Sequence, residues 1–539
     1  MLPNILVRCK DGLILLLTPL LLSPLLWLNY HSTESRCAFV VLLMIIYWIF
    51  QPIPLAVTAL IPVALFPLFG LATTEKACEP YLKSTNMLFM ASLIIAIAME
   101  KSGFHKRIAF RVLIFIGNDL RSIFAGFMFV TMFLGIWIIN TAATAMILPI
   151  ADVVVNEIFN NYREKNPELE MINGNPTIEI QRSDVIRKYS KKISPELDYI
   201  RRLLYICIAF SATIGGTSTL TSNGPNLVFQ FVLDQFYGNV PDVDYTKWLL
   251  FCLPATILSV FLCWCYITMI YLKPRINAQV KNTSTTALMQ KYNELGSITF
   301  HEIAVCITFV VLIILWMFRD PQFLTGWARM LGHDIIPKDT TPAILMVILL
   351  FCIPSNPFGP FPSESLLDWK FAQSKLAWGV ILLRGGGFAM ADAAMSSGLT
   401  RLIGEQLVKI NELPFWSIVV IISLTASFTT ELASNSAIAS VFLPISGQIA
   451  LFLNKNPLFF IIPVTLSCSY AFVLPVGTPA NALVASHAKL KPFDTVLPGF
   501  VTKMICITIM FCNLFILGVP MFSLDSLPMW ANTTSLETI

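Results

Sequence analysis

Long apolar runs separated by short polar stretches dominate the hydrophobic pattern of this chain. The longer runs approach or exceed the roughly 20 residues that a helix needs to cross the hydrocarbon core of a bilayer. Examples are Leu13–Leu28, Cys37–Phe50, Ile123–Ile139, Leu249–Leu272, Ile303–Phe318 and Pro498–Pro520. Only helices and closed barrels satisfy their backbone in lipid, so runs at this density predict a helical bundle. Hydropathy predicts an all-α polytopic membrane protein with about eleven transmembrane helices.

Basic residues are concentrated in a few polar stretches, and they predict the side of the membrane on which each stretch lies. The longest is Asn160–Arg202, and a second basic loop begins at Lys273. The positive-inside rule places both loops and the N-terminus in the cytosol. With an odd number of spans the C-terminus is then extracellular, where Asn532 begins a glycosylation sequon. A second sequon, at Asn282, lies in the basic loop, so we predict that it is not used.

Composition narrows the class of protein further. The chain has 539 residues, of which 56% are hydrophobic and 13% charged, whereas about 25% of the residues of a soluble domain are charged. The formal net charge of +4 is small and spread over loops, which argues against a nucleic-acid partner. The cysteines and histidines show no metal-binding or disulfide spacing, so we expect no metal cofactor. No Walker motif and no nucleophile–base arrangement is present, which argues against a pump or an enzyme.

Two motifs that begin with asparagine recur in the two halves of the chain. Residues 140–150 read NTAATAMILPI, and residues 435–445 read NSAIASVFLPI. Downstream, the sequence around Asn226 resembles that around Asn481. The separation from 140 to 226 is 86 residues and that from 435 to 481 is 46, a difference close to the length of the 160–202 stretch. We infer one duplicated unit, with repeat halves 1–250 and 251–539 and a cytosolic insertion at 160–202.

These repeated motifs are poor sequence for a continuous spanning helix. Asn, Ser, Thr, Gly and Pro close together leave backbone groups that are tolerated only inside protein or beside a cavity. Matching interrupted segments in two halves indicate a transporter's binding site, where helix N-termini face an anion and unwound carbonyls hold cations. The alternative is that Asn140 and Asn435 only make hydrogen bonds between helices. The matched contexts favour the functional interpretation.

The chain resembles the divalent-anion:sodium symporters, which carry dicarboxylates, citrate or sulfate, and particularly their animal Indy-type branch. The segments that carry this resemblance are Ile139–Thr141 and Ser434–Ser436, which look like the two Ser-Asn-Thr signatures of the family, GGTSTLT at 215–221, GGGFA at 385–389 and LPVGTPANA at 474–482. The resemblance implies an inverted repeat with two re-entrant hairpins, whose tips lie near 140–144 and 435–438. It also implies a scaffold domain that forms a homodimer and an elevator-type transport domain, interleaved in sequence.

The resemblance further implies which residues bind the cargo. The implied substrate-binding residues are Asn140, Thr141, Ser222, Asn435, Ser436, Thr478 and Pro479. The implied cation-binding residues are Ile139, Asn140, Gly216, Thr430, Asn435 and Gly477. Ile139 stands where the first signature usually has serine, and Ser222 is part of a Ser-Asn pair that replaces a usual Gly-Thr. These departures leave the preferred anion and the coupling cation open.

Three ionisable residues lie in apolar surroundings: Arg384, Asp392 and Glu431. We expect Arg384 to lie near a membrane face and to extend its side chain towards it; the alternative is that it attracts the substrate anion. Arg384 and Asp392 are about two helical turns apart, so they need not pair. Glu431 resembles an acidic residue of the family, and we expect it to orient the second hairpin by accepting backbone hydrogen bonds.

Together these observations predict a secondary active transporter of di- and tricarboxylate anions, such as citrate and succinate, that works by alternating access in a lipid bilayer. Sodium is the candidate coupling ion, and no organic cofactor is expected. Two alternatives stay open within transport: sulfate or another divalent anion as the substrate, and sodium-independent carboxylate exchange. An anion channel would need a continuous pore. The resemblance implies a location in the plasma membrane.

Overall fold

The computed structural model of the chain describes residues 2–28, 32–116, 119–164, 180–238, 240, 242–272, 285–321, 325–332, 336–359, 363–402, 414–475, 477–490 and 492–533. Within these residues the fold is helical, and the one β-bridge joins Pro354 to Ser365. The helices up to residue 236 are Leu2–Leu28, Thr33–Phe50, Leu55–Thr58, Ile61–Leu68, Thr74–Cys78, the 3-10 helix Glu79–Leu82, Ser84–Ser102, Phe104–Ile116, Leu120–Trp137, Asn140–Glu164, Ile180–Gly216 and Gly224–Phe236. Those that follow are Tyr245–Ile270, Thr285–Glu294, Phe300–Met317, Trp327–Met330, Thr340–Cys352, Trp369–Lys375, Trp378–Ser396, Phe415–Thr429, Asn435–Phe452, Leu458–Ser469, Pro479–Ala488, Pro492–Asn513, the π-helical turn Leu514–Gly518, Val519–Phe522 and Met529–Thr533.

Membrane-spanning helices account for much of this architecture. Among the described residues, seven helical segments are long and apolar enough to cross a bilayer: Thr33–Phe50, Thr74–Ser102, Leu120–Trp137, Tyr245–Ile270, Phe300–Met317, Asn435–Phe452 and Phe493–Phe522. Shorter apolar helices include Leu55–Leu68, Thr340–Cys352, Phe415–Thr429 and Leu458–Ser469. The predicted all-α polytopic membrane fold is confirmed. The predicted number of about eleven spans is larger than seven because it counts some of the shorter helices as spans. Helix length alone does not decide whether these cross the whole bilayer, so the number stays a prediction.

Two helical pairs correspond to the predicted hairpins. Hairpin 1 consists of Leu120–Trp137 and Asn140–Glu164, and hairpin 2 consists of Phe415–Thr429 and Asn435–Phe452. The two helices of each pair pack against each other. Extended backbone at Ile138 ends the first helix of hairpin 1, and residues 430–434 form the turn of hairpin 2. Both tips therefore begin a new helix at the repeated asparagine.

Each hairpin is followed by a helix that is interrupted in its middle. Broken helix 1 is Ile180–Gly216 and Gly224–Phe236, separated by loop 1, residues 217–223. Broken helix 2 is Leu458–Ser469 and Pro479–Ala488, separated by loop 2, whose described residues are 470–475, 477 and 478. The predicted insertion at 160–202 is largely helical where it is described, because the flanking helices extend into it.

The two halves interlock through these elements. The second helix of hairpin 1 packs against Pro479–Ala488 of broken helix 2. The second helix of hairpin 2 packs against Gly224–Phe236 of broken helix 1. The division of the chain at residue 250 stays a prediction, and this packing means that neither half forms the region around the tips alone.

Close backbone packing fixes loop 1 against hairpin 1. A Cβ atom added to Gly135 would lie 2.6 Å from the carbonyl oxygen of Ala212, and one added to Gly215 would overlap the Met132 carbonyl. Only glycine therefore allows Leu120–Trp137 and Ile180–Gly216 to approach each other this closely. Because loop 1 begins two residues after Gly215, this crossing sets its position next to the tip of hairpin 1.

Candidate transport site

Loop 1 is held in place by its own side chains and by hairpin 1. The Thr219 hydroxyl donates to the Ile136 carbonyl at 2.6 Å, which joins the loop to the last turn of the first hairpin helix. The Ser222 hydroxyl donates to the Gly216 carbonyl at 2.8 Å. The Asn226 amide donates to the Thr219 carbonyl at 2.7 Å. The loop is buried, so these bonds satisfy backbone groups that would otherwise have no partner.

Loop 2 is held to hairpin 2 by a carboxylate. Glu431 accepts hydrogen bonds from the backbone N–H groups of Phe472, Val473 and Leu474 at 2.9–3.1 Å. The expectation that Glu431 accepts backbone hydrogen bonds is confirmed, and these bonds come from loop 2 rather than from the hairpin itself. The Glu431 carboxylate also pairs with the Lys503 ammonium at 2.7 Å. It thus links three parts of the second half.

The repeat seen in the sequence has a counterpart in the hydrogen bonds. The Asn226 amide lies 3.4 Å from the Gly216 carbonyl oxygen, and the Asn481 amide donates to the Ala471 carbonyl at 2.9 Å, with the same separation of ten residues. In both cases the Oδ1 atom is buried and meets no donor within the described residues. Two matched amide oxygens without donors fit a site that holds cations or water.

The halves meet at the start of two helices. Gly224 begins the second part of broken helix 1, and a Cβ atom added there would overlap the Ser436 hydroxyl at the tip of hairpin 2. The neighbouring Asn223 has a buried Nδ2 atom with no acceptor in the part of the chain that the structure describes. A hydroxyl, an amide donor and two helix N-termini therefore lie together, and such a group favours an anion.

The structure brings together some of the predicted site residues. Ser436, at the tip of hairpin 2, contacts Gly224, which directly follows Asn223. At the turn of hairpin 2, the Thr430 hydroxyl oxygen lies 2.7 Å from Asn435 Oδ1 and 2.9 Å from the Cys468 carbonyl oxygen. Gly477 adjoins the Glu431 carboxylate, because a Cβ atom added there would lie 2.9 Å from Glu431 Oε2.

Other predicted residues have more local roles in this structure. Asn140 is buried, and its Oδ1 accepts from the backbone N–H of Thr141 at 2.8 Å. The Thr478 hydroxyl accepts from the Asn481 N–H at 3.1 Å and caps Pro479–Ala488, whose first residue is exposed. Ile139 is partly buried, and its carbonyl accepts from Ala143. Within the described residues no hydrogen bond joins Asn140 to Asn435.

Arg384 is placed differently from the sequence-based expectation. Its side chain does not reach a membrane face, since only 1% of the residue is exposed. The guanidinium carbon lies 4.2 Å from the ring centre of Phe89 and 5.5 Å from that of Phe388. The expectation was wrong because the glycines at 385–387 pack the helix so closely against its neighbours that the arginine is enclosed. Asp392 pairs instead with Lys83 at 2.8 Å.

Two residues of this region were missed from the sequence. Lys503 is fully buried and lies in the apolar run Pro498–Pro520, so the rule that an intramembrane charge suggests function could have selected it. Asn223 was passed over because only its neighbour Ser222 was assigned to the substrate.

Outside the tips, two further predictions concern modification and metals. Asn532 lies in the short helix Met529–Thr533, and its glycosylation stays a prediction. Asn282 lies outside the described residues. Among the described residues no group of three or more His, Cys, Asp or Glu could hold a metal ion.

Comparison with known proteins identifies the family. The sequence model described as "Sodium:sulfate symporter transmembrane region" matches residues 13–524. The chain is 37% identical to the mouse Na(+)/citrate cotransporter, over 98% of each protein. It is 35% identical to the sodium-dependent low-affinity dicarboxylate transporter 1 of Caenorhabditis elegans, over 99% of this chain and 95% of that protein. It is 32% identical to the Drosophila melanogaster protein "I'm not dead yet", over 97% of this chain and 93% of that protein.

A solved structure supports the fold. The YdaH transporter of Alcanivorax borkumensis superposes with a TM-score of 0.54 at 12% identity, covering 89% of this chain and 99% of that one. At this identity the likeness concerns the fold alone. Together with the interrupted helices and the family match, these findings show that the chain is a multi-pass membrane transporter of the divalent-anion:sodium symporter family and belongs to its animal Indy-type branch.

Proposed function

We propose that this transporter couples the uptake of di- and tricarboxylate anions, such as citrate and succinate, to sodium. The observation that carries the proposal is the matched pair of hairpin tips and interrupted helices. In each half, a helix ends with its carbonyl groups next to the start of another helix with its N–H groups. This arrangement offers oxygen ligands to a cation beside donors for an anion. The names of the mouse citrate and worm dicarboxylate relatives support the same cargo.

The substrate would be bound by uncharged residues, most of which can donate hydrogen bonds. Its proposed ligands are Asn140, Thr141, Ser222, Asn435, Ser436, Thr478 and Pro479, and they are joined by the Asn223 amide, whose Nδ2 has no acceptor among the described residues. None of these side chains carries a positive charge. Because a dianion in a low-dielectric site needs compensating charge, cations bound nearby would strengthen its binding, which is the physical basis of coupling.

Two sets of oxygen atoms, one in each half, are the candidate ligands for a positive charge beside the substrate. The first set is the carbonyl oxygens of Ile139 and Gly216 with the Asn140 side chain. The second is Thr430, Asn435 and the Gly477 carbonyl. Ile139 stands where the family signature usually has serine, so this chain lacks the serine hydroxyl there and keeps the main-chain carbonyl. A cation site that uses the carbonyl is therefore retained.

An uptake panel tests the proposal. Cells or proteoliposomes with the wild-type protein should take up radiolabelled citrate or succinate in sodium and lose this uptake when choline replaces sodium. Uptake that persists in choline would support sodium-independent exchange, and uptake of sulfate alone would support an inorganic anion as the substrate. Either result would contradict the proposal.

The elevator movement, the homodimer and the plasma-membrane location are part of the same proposal. The family resemblance supports all three. The predicted extracellular C-terminus also belongs to the proposal. Surface biotinylation tests the location, and crosslinking of the membrane protein tests the dimer. Extracellular glycosidase treatment tests the orientation of the C-terminus. In the last assay, Asn532→Gln should remove the shift in mobility that the glycosidase causes.

A further inference from the structure

Lys503 places a positive charge inside the second half of the bundle. Its residue exposure is 0%, and it lies in the candidate span Phe493–Phe522. The ammonium donates to the Ser427 carbonyl at 2.6 Å and pairs with Glu431 Oε1 at 2.7 Å. It also lies 4.9 Å from the ring centre of Phe428. A carbonyl, a carboxylate and an aromatic face therefore surround the ammonium.

The ammonium occupies a position at the C-terminal end of a hairpin helix. Ser427 belongs to the last turn of Phe415–Thr429, where carbonyl groups lack helical partners and favour a positive charge. The N–H of Glu431 bonds to the Phe428 carbonyl at 3.3 Å, which leaves the Ser427 carbonyl to the ammonium. In membrane transporters, carbonyls at the ends of interrupted helices are ligands for coupling cations.

The two halves differ at this point. Counting back four residues from the repeated asparagine gives Glu431 in hairpin 2 and Ile136 in hairpin 1. Hairpin 1 is joined to loop 1 by a neutral bond, from the Thr219 hydroxyl to the Ile136 carbonyl at 2.6 Å. Hairpin 2 is joined to loop 2 by the Glu431 carboxylate, whose charge Lys503 balances. A fixed cation is thus part of the link at hairpin 2, whereas the link at hairpin 1 is uncharged.

From this asymmetry we propose that the Lys503 ammonium takes the place of a coupling sodium ion at hairpin 2, so that sodium binds at hairpin 1 alone. Glu431 adjoins Gly477 and follows Thr430, two of the ligands proposed for the cation of the second half. Paired with Lys503, this carboxylate adds no net negative charge there, and the ammonium repels a second cation. The link between hairpin 2 and loop 2 therefore forms without sodium. This inference rests on the sodium-coupled transport proposed above.

A pair of matched variants tests the exchange of ammonium for sodium. Lys503→Gln removes the ammonium and leaves the Glu431 carboxylate with room for a cation. Its melting temperature in detergent should be low in choline chloride and rise with sodium chloride, with one more sodium ion bound per protomer than in the wild type. The control, Glu431→Gln, leaves the ammonium and removes the carboxylate, so sodium should not raise its melting temperature beyond the wild-type response.

Variants of the two tip asparagines and the number of sodium ions transported give two further readouts. Asn140→Ala should abolish the sodium-induced rise in melting temperature without substrate, whereas Asn435→Ala should leave it unchanged. Equal losses in both variants, or a Lys503→Gln protein that sodium does not stabilise, would overturn the role of Lys503. The number of sodium ions per substrate, from the zero-flux potential in proteoliposomes, should rise by one in Lys503→Gln. If the wild type shows no sodium-driven carboxylate uptake, the proposed function itself fails, and this outcome is distinct from an unchanged ion number.

Discussion

The contact between Gly224 and Ser436 gives the sharpest mutational test of how the two halves form one site. A methyl group at position 224 would overlap the Ser436 hydroxyl, while the Ser436 Cβ would lie at 3.4 Å, close to ordinary contact. In Gly224→Ala the hydroxyl must therefore rotate away. We expect a modest loss of stability, about 1–2 kcal/mol, because a short side chain can yield. The larger effect should fall on substrate binding.

The size of that effect follows from the hydrogen bond that Ser436 would donate to the substrate. Losing a bond to a charged group costs about 1.5–3 kcal/mol, which corresponds to roughly 10- to 150-fold weaker binding. Gly224→Ala and Ser436→Ala should each raise the KM for citrate or succinate within this range. The KM of the double variant should be no higher than that of Ser436→Ala alone, because the methyl group at position 224 then meets no hydroxyl.

The KM values of the single and double variants come from the kinetics of labelled uptake, corrected for the amount of protein at the cell surface. They measure how strongly the effects of the two substitutions depend on each other. Strongly non-additive effects are expected, since residues in direct contact share one interaction. If Gly224→Ala transports like the wild type, or if the two effects on KM add fully, then the start of the second part of broken helix 1 and the tip of hairpin 2 do not form one binding surface.

Three further predictions follow from the described contacts. Glu431→Gln should destabilise the protein by about 3–5 kcal/mol, because it leaves the buried Lys503 unpaired, and thermal melting with the Glu431→Gln/Lys503→Gln double variant should show recovery. Gly215→Ala should lower the amount of folded protein, since its Cβ would overlap a backbone carbonyl of hairpin 1. The control Gly12→Ala should not, because no atom lies within 4 Å of the added Cβ. Fluorescence size-exclusion chromatography measures the amount of folded protein in both variants. Arg384→Met should melt at or above the wild-type temperature, because replacing a buried charge by an apolar side chain is often neutral or stabilising; a large drop would mean that the rings around it hold the charge more strongly than expected.

Much of the fold was predictable because its signals are local in sequence. Apolar runs predict helices in lipid, and the repeated asparagine motifs marked where helices restart at the two tips. The matched bonds of Asn226 and Asn481 show that the same repeat also shapes the loops. The motifs succeeded because breaking a helix inside a membrane protein needs Asn, Ser, Thr, Gly or Pro at defined places.

The parts that the sequence could not predict depend on contacts between distant segments. Lys83 and Asp392 pair across 309 residues, and hydropathy contains no information about which buried charges meet. The enclosure of Arg384 depends on how closely a glycine-rich helix approaches its neighbours, so its burial was missed. The approach of Gly224 to Ser436 likewise arises only from the packing of one half on the other.

Sodium-dependent uptake by hairpin-tip variants is the most direct test of the central claim that the two tips form one carboxylate site. Wild-type protein should accumulate labelled citrate or succinate in sodium, and Asn140→Ala and Asn435→Ala should each abolish this uptake while surface biotinylation shows normal amounts of protein. Uptake at the wild-type level by both variants would contradict the account.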